Sequence, residues 1–363
     1  MVHPKYNRYI HQILVFAFIW LLFGALYALI EVGLLGNSTI YPATGNPYNF
    51  KSNLIFISLG SFLMGIAQGW LEVVWLKKRF EQKALWIKVI SKTLIYLTLI
   101  IFFLLALTAI TSAFRYSDGQ LSAAALEDVN RFVTDFAFWS VVIYIAVTLN
   151  FALFFSEIKE YIGSRLLYNF ILGRYHQPNQ EIRIFMFLDM KSSTTIAENM
   201  GHAQYFQLIK AYYADMTNPI LETGGEIYQY VGDEIVISWP ETKGLYNSNC
   251  IECFRKIENE LRHKSNTYMK KFGLVPSFKA GFHIGEVTTG EIGIIKKDII
   301  YTGDVLNTTA RIQAECNNYS AKVLISNDLL KKLPKENEFS FTNIGKLTLR
   351  GKSEEIKLYS IDL

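Results

Sequence analysis

Four long apolar stretches fill the first half of the chain and constrain it more than any other feature: about Tyr9 to Ile30, Asn53 to Trp75, Val89 to Ala113 and Phe132 to Phe155. Roughly 20 largely apolar residues in a helix span the hydrocarbon core of a bilayer, and each stretch reaches that length. An N-terminal all-α, four-helix transmembrane domain is therefore predicted over 1–156. No comparable run follows Phe155, and the 51% hydrophobic content of the 363 residues is high for a purely soluble protein. The first stretch is too long for a cleaved signal peptide and is soon followed by a second, so it is expected to stay in the mature chain.

Lysine and arginine placement sets the expected orientation. Lys5 and Arg8 precede the first span, and Lys77, Lys78, Arg79, Lys83 and Lys88 lie between the second and third. The loops on the other side, Glu31 to Ser52 and Arg115 to Asn130, hold cations only at their margins and are too short for a folded extracellular sensor. This predicts a multi-pass protein of the inner (plasma) membrane, in contact with lipid, with both termini and the polar half in the cytoplasm. Trp20, Trp70, Trp75 and Trp86 read as interfacial or packing aromatics. Glu72, with Gln68 beside it, is expected to hydrogen-bond a neighbouring helix or snorkel to the interface, sensing or ion passage being the other reading.

After Phe155 the composition changes. Ile158, Tyr161, Ile162, Leu166, Leu167 and Phe170 recur at helical spacing, which predicts a cytosolic helical linker over 157–180 that covers its apolar stripe by pairing with a second copy. From 181 to 363, strand and helix periods alternate. Strands are expected at Ile182 to Leu188, Glu226 to Val231, Glu234 to Trp239, Ser277 to Ile284 and Ile299 to Tyr301, with a last group ending at Leu363. Helices are expected at Thr195 to Met200, Gln204 to Glu222, Ser248 to Phe272 and Asp304 to Asn317. The result is an α+β domain, a mixed β-sheet flanked by helices. The net charge of +4, with basic residues scattered among acidic ones, lacks the footprint of a nucleic-acid binder. Cys250 and Cys253 read as helix neighbours rather than half of a zinc site.

Three segments carry chemistry. Asp189 ends an apolar strand and leads into Lys191, Ser192, Ser193, Thr194 and Thr195, so a carboxylate stands beside free helix N–H groups, as a magnesium triphosphate requires. Thr195 and Glu198 are spaced as a capping box. Asp233 sits in a Gly-Asp hairpin turn between two alternating runs. Either Asp alone could be a cap or turn former, but two carboxylates at adjacent strand tips can hold one or two Mg²⁺ against phosphate oxygens. In the third segment Asp304 can cap a helix that places Asn307 and Arg311 on one face, an amide and a guanidinium suited to orienting a ribose and neutralising a phosphoryl group. A surface Arg311 paired with Glu315 is the structural alternative.

The segments Phe187-Leu-Asp-Met-Lys-Ser-Ser-Thr, Tyr230-Val-Gly-Asp-Glu, Gly281-Phe-His-Ile-Gly-Glu-Val-Thr-Thr-Gly-Glu-Ile-Gly and Gly303-Asp-Val-Leu-Asn-Thr-Thr-Ala-Arg resemble the class III adenylate/guanylate cyclase catalytic domain, in order and spacing. The resemblance implies metal binding by Asp189 and Asp233 with the Met190 main chain. It implies a triphosphate cradle on the backbone of Met190, Lys191, Ser192, Ser193 and Thr194, and transition-state roles for Asn307 and Arg311. The family's phosphate-binding lysine falls on Arg350, with Lys352 nearby. The positions that select the base carry Gln229 and Ile300, where the family commonly has Lys and Asp or Thr. The implied function is membrane-bound conversion of ATP to 3',5'-cyclic AMP and pyrophosphate with two Mg²⁺ or Mn²⁺ ions per site, in a homodimer formed through catalytic domain and linker. A cyclase for GTP or a pyrimidine triphosphate, or a non-catalytic nucleotide-binding receptor, stands as the alternative.

Overall fold

The computed structural model describes residues 4–40, 48–80, 83–117, 123–163, 167, 173, 177–295, 297–334, 338–348 and 355–362. The chain divides into two compact units, Met1–Tyr168 and Asn169–Leu363. The division falls inside the segment expected to be a linker. Most of that segment, with Arg350 and Lys352, lies outside the described residues.

The first unit is helical. Helix α1 (Pro4–Leu35) packs on α2 (Phe50–Leu71), which passes through one π-helical turn (Glu72–Leu76) into the short α3 (Lys77–Phe80). Then come α4 (Leu85–Ser117), α5 (Ala123–Thr134) and α6 (Phe136–Ile162). Among the described residues four helices are long and apolar enough to cross a membrane: Tyr9–Leu35, Phe50–Leu76, Leu85–Ile110 and Phe138–Lys159. The fourth starts later than Phe132, because residues 123–134 form a helix of their own and the chain breaks at Asp135. The Thr134 hydroxyl donates to the carbonyls of Asn130 and Arg131 where that helix ends. The loop expected from Arg115 to Asn130 is thus largely helical.

Small residues let α1 and α2 touch. A Cβ added at Gly65 would stand 2.6 Å from Ala17 Cα, so the backbones meet where only glycine fits. Trp20 is buried in the bundle, whereas Trp70, Trp75 and Trp86 are exposed. Glu72 does bond a neighbouring helix. Its carboxylate pairs with Lys92 and accepts from the Tyr96 hydroxyl at 3.1 Å, both on α4. Lys92 also pairs with Glu157 at 3.0 Å, and Glu157 with Lys88 at 3.2 Å. Lys88, expected in a loop, is therefore an α4 residue held by α6.

The second unit is built on one sheet. Its strands are β1 (Asn179–Met190), β2 (Glu226–Val231), β3 (Glu234–Pro240), β4 (Phe278–Ile292), β5 (Asp298–Thr302), β6 (Val323–Ser326), β7 (Ser340–Thr348) and β8 (Glu355–Asp362). Their order is β2-β3-β1-β4-β6-β8-β7, with β5 paired to β4. Only β4 and β6 run parallel, and the rest are antiparallel, giving the mixed sheet expected. Even-numbered residues of β1 (Ile184, Met186, Leu188) face a large core with α8 (His202–Glu222) and α10 (Asn249–His263), helices that follow α7 (Ser193–Met200) and the five-residue α9 (Glu241–Leu245). Odd-numbered Phe185 and Phe187 face Val305 on the opposite side, on helix α12 (Asp304–Glu315), which comes after α11 (Ser265–Phe272); α13 (Asn327–Leu330) caps β6.

Four local expectations change. The helix expected from Ser248 to Phe272 breaks at Lys264, whose side chain is drawn to Asp215 at 2.6 Å and Glu260 at 2.7 Å. Strand β4, expected to end at Ile284, runs on to Ile292, with Gly285 paired to Arg183 and Gly290 to Ile300. Helix α7 begins at Ser193 with Ser192 in the left-handed region and no side-chain cap, so Thr195 is no N-cap and the capping box does not form. Asp304 likewise lies inside the first turn of α12, its carboxylate accepting from Thr308 at 3.1 Å.

Two glycines seat α12 on β4: a Cβ at Gly281 would collide with the backbone nitrogen of Gln313, and one at Gly285 with Val305 Cγ2. Backbone cannot yield as a side chain tip can. Gly281→Val is expected to lift α12 and cost about 1–3 kcal/mol, read as a lower thermal midpoint; an unchanged midpoint would show that the helix seat is elastic.

Candidate active site

The register of β1 with β3 and β4 places Asp189 opposite Glu234 on one side and Lys279 on the other. Asp233 occupies the two-residue turn that joins β2 to β3, where Val231 pairs with Glu234. Gly232 supplies the positive φ of 63° at the first turn position, the sign pattern of a type II′ hairpin. The Tyr213 hydroxyl braces this turn at 3.0 Å from the Gly232 carbonyl and 3.1 Å from that of Glu234. The two aspartates expected to act together are thus brought to adjoining strand ends, close enough for the Asp233 carboxyl to act on that of Asp189.

Burial, then the Asp233 carboxyl, pushes the Asp189 pKa up, while the Lys279 ammonium opposes the shift. Glu234 is pushed up to about 7 by burial and by the charges of Asp189 and Asp233. Lys279 Nζ stands 3.4 Å from Asp189 Oδ2 and donates to Asn317 at 3.1 Å. Gln313 Nε2 donates to the same Asp189 oxygen at 3.2 Å. Sequence reasoning missed Glu234, Lys279 and Gln313. Glu234 follows the Gly-Asp turn and could have been found; the other two reach Asp189 only through strand register and helix seating.

Beside Asp189 the chain enters α7. Met190 has its side chain in the core, which leaves its main chain alone free to serve a ligand. The Lys191 N–H is given to the Ser277 carbonyl at 2.8 Å, so the backbone cradle expected over Met190 to Thr194 is narrower than expected. The first-turn amides of Ser193 and Thr194 have no partner inside the helix, and Ser192 accepts from Ile196 at 3.0 Å through its carbonyl.

The Asn307 and Arg311 pair sits elsewhere. Val305, Thr308, Thr309, Ile312 and Gln313 form the buried face of α12, and Asn307 is exposed with Arg311 half-buried on the remaining face. The Glu315 carboxylate accepts from Asn318 at 2.7 Å, and among the described residues it forms no ion pair with Arg311. Helix α12 therefore aims Gln313, not Asn307 or Arg311, at the Asp189 of the same chain. Gln229 is exposed on β2, opposite Val236 just past a bulge, and Ile300 is half-buried on β5 opposite Gly290. Their neighbours Tyr228 and Tyr301 meet with ring centroids 4.9 Å apart. The buried Arg183 stacks 4.8 Å from the Tyr301 ring and pairs with Glu226 at 2.9 Å, tying β1, β2 and β5 together. Cys250 and Cys253 are buried in α10, their thiols pushed up to about 12 by burial.

The family model for the adenylate and guanylate cyclase catalytic domain matches residues 174–362. The chain belongs to this class III cyclase family. Adenylate cyclase 2 of Rhizobium meliloti (strain 1021) is 32% identical over 222 residues, 61% of this chain and 61% of that protein. An adenylate cyclase of Anabaena cylindrica is 26% identical over 179 residues, 48% of this chain and 36% of that one. The chain thus spans 61% or less of these relatives' length. A solved bacterial light-regulated adenylyl cyclase shares the fold at 19% identity, with TM-score 0.53 over 63% of this chain and 66% of that one.

Proposed function

We propose that this protein is a membrane-anchored adenylate cyclase that converts ATP to 3',5'-cyclic AMP and pyrophosphate as a homodimer. The carboxylate pair Asp189 and Asp233, beside the first turn of α7 in a domain of this family, carries the proposal. Relatives named as adenylate cyclases support ATP as the substrate.

The donor set fits Mg²⁺ or Mn²⁺. Among the described residues no group of three or more His, Cys, Asp or Glu could hold a metal, but Mg²⁺ is held by one or two carboxylates and completes its shell with water and substrate phosphates. Two close carboxyls, one with a raised pKa, are a pair that a divalent ion relieves. Asp189 and Asp233, with the Met190 main chain, would hold two such ions, which when bound acidify the ribose 3'-hydroxyl and neutralise phosphate charge. The amides of Ser193 and Thr194 receive triphosphate oxygens at the helix N-terminus, helped by the Lys191 side chain and by Arg350 and Lys352 at the terminal phosphates. Asn307 orients the ribose, and Arg311 donates to the α-phosphate as charge builds there. Gln229 and Ile300 face the base. Because Asn307 and Arg311 point away from their own subunit's carboxylates, each composite site draws them from the second copy. The four apolar helices form the membrane domain, 1–156, with the linker and the cyclase domain, 181–363, in the cytoplasm.

The test is incubation of the purified full chain with Mg²⁺ or Mn²⁺ and each of ATP, GTP, CTP and UTP, with products resolved by mass spectrometry. Cyclic AMP with pyrophosphate is the expected result, and Asp233→Ala should lower its rate by about 10²- to 10³-fold. Another cyclic nucleotide would reassign the base contacts of Gln229 and Ile300, and no product from any of the four would leave a nucleotide-binding receptor.

A further inference from the structure

Two buried side chains converge on one oxygen of Asp189. Gln313 Nε2 donates to Oδ2 at 3.2 Å, and Lys279 Nζ stands 3.4 Å from the same atom. Among the described residues both nitrogen contacts to this carboxylate fall on Oδ2, which leaves Oδ1 without one. Gln313 is 6% exposed and Lys279 9%, so neither contact is made through solvent.

Helix α12 and the turn after it fix both contacts. Gln313 leaves the helix where its backbone lies on Gly281, close enough that a Cβ there would stand 2.4 Å from the Gln313 nitrogen. Lys279 donates to Asn317 Oδ1 at 3.1 Å, two residues past the helix end. An Asp carboxylate otherwise turns broadly about its terminal torsion. An ionised carboxylate only accepts, so the NH₂ is the end of Gln313 that meets it. With Oδ2 taken, the carboxylate keeps one orientation and Oδ1 is the oxygen left to a metal ion. The amide achieves this without adding charge, whereas a lysine alone would compete with a cation for the same carboxylate.

We propose that Gln313 is a positioning residue for the divalent-ion site, holding Oδ2 of Asp189 so that Oδ1 is presented to the ion. The inference rests on the reading that Asp189 and Asp233 hold that ion. It gives the buried face of α12 a task separate from that of Asn307 and Arg311 on the remaining face.

The test is Mn²⁺ binding to the purified full chain in nanodiscs of zwitterionic lipid, without nucleotide. It is followed by the electron paramagnetic resonance signal of free Mn²⁺ and corrected with empty nanodiscs. Binding that Asp233→Ala abolishes marks the site. Gln313→Met, which keeps length and bulk but loses the donor, is expected to weaken that binding about tenfold, the low end for a group that orients a metal ligand. Ile312→Val, a neighbour on the same buried face, loosens packing without touching Asp189. It should lower the thermal midpoint in EDTA and leave Mn²⁺ affinity unchanged. Unchanged affinity in Gln313→Met, or an equal loss in Ile312→Val, would overturn this inference alone and leave the metal site in place. Absence of Asp233-dependent Mn²⁺ binding in the unmodified protein would overturn the metal reading together with it.

Discussion

Mixing two inactive variants, Asp233→Ala and Asn307→Ala, is expected to restore cyclase turnover. Each homodimer lacks a necessary group in both of its sites. In a mixed dimer one composite site inherits both defects and the other neither. With random pairing half of the dimers are mixed and each has one intact site, so an equimolar mixture should recover about a quarter of the unmodified rate. The argument starts from helix α12, whose buried face holds Gln313 against Asp189 at 3.2 Å while Asn307 lies on the other face. A mixture no more active than its components, under conditions where subunits exchange, would place all four groups in one subunit and contradict the helix geometry. Arg311→Ala in place of Asn307→Ala should behave in the same way, because the two residues share that face.

The second large effect concerns the helical unit. Lys92→Met is expected to destabilise the protein by about 3 kcal/mol or more, since removing one partner of a buried ion pair strands the other. The Lys92 and Glu72 side chains are 2% and 7% exposed, and Lys92 bridges Glu72 to Glu157. The measurement is the thermal midpoint of the purified full chain in nanodiscs. Replacing both partners, Lys92→Met with Glu72→Leu, should recover much of the loss, because well-packed apolar residues often substitute for a buried pair without cost. If the single variant melts with the unmodified protein, Lys88 alone suffices to hold Glu157 and the bridge carries no stability.

Much of the candidate site was legible because it depends on local spacing. Asp189 at the end of an apolar run, the Gly-Asp turn and the i, i+4 pair Asn307 and Arg311 each follow from the period of one strand, turn or helix. The same is true of the four apolar helices, where length and hydropathy suffice. Boundaries were less legible. Strand β4 passes beyond its expected end at Ile284 through Gly285 and Gly290, because Gly285 is small to admit Val305 from α12 and not to bend the chain. Thr195 and Glu198 match a cap, yet α7 starts two residues earlier from a left-handed Ser192.

What the sequence determined by itself was the set of candidate groups and the division into an apolar helical half and an α+β half, since both reside in near-neighbour patterns. Tertiary structure decided which groups meet. Strand register set Lys279 and Glu234 beside Asp189, helix seating on Gly281 brought Gln313 to the same carboxylate, and bundle packing joined Glu72, Lys92 and Glu157 across three helices. These partners are separated by tens of residues along the chain. Their meeting depends on how faces pack, which no local period encodes.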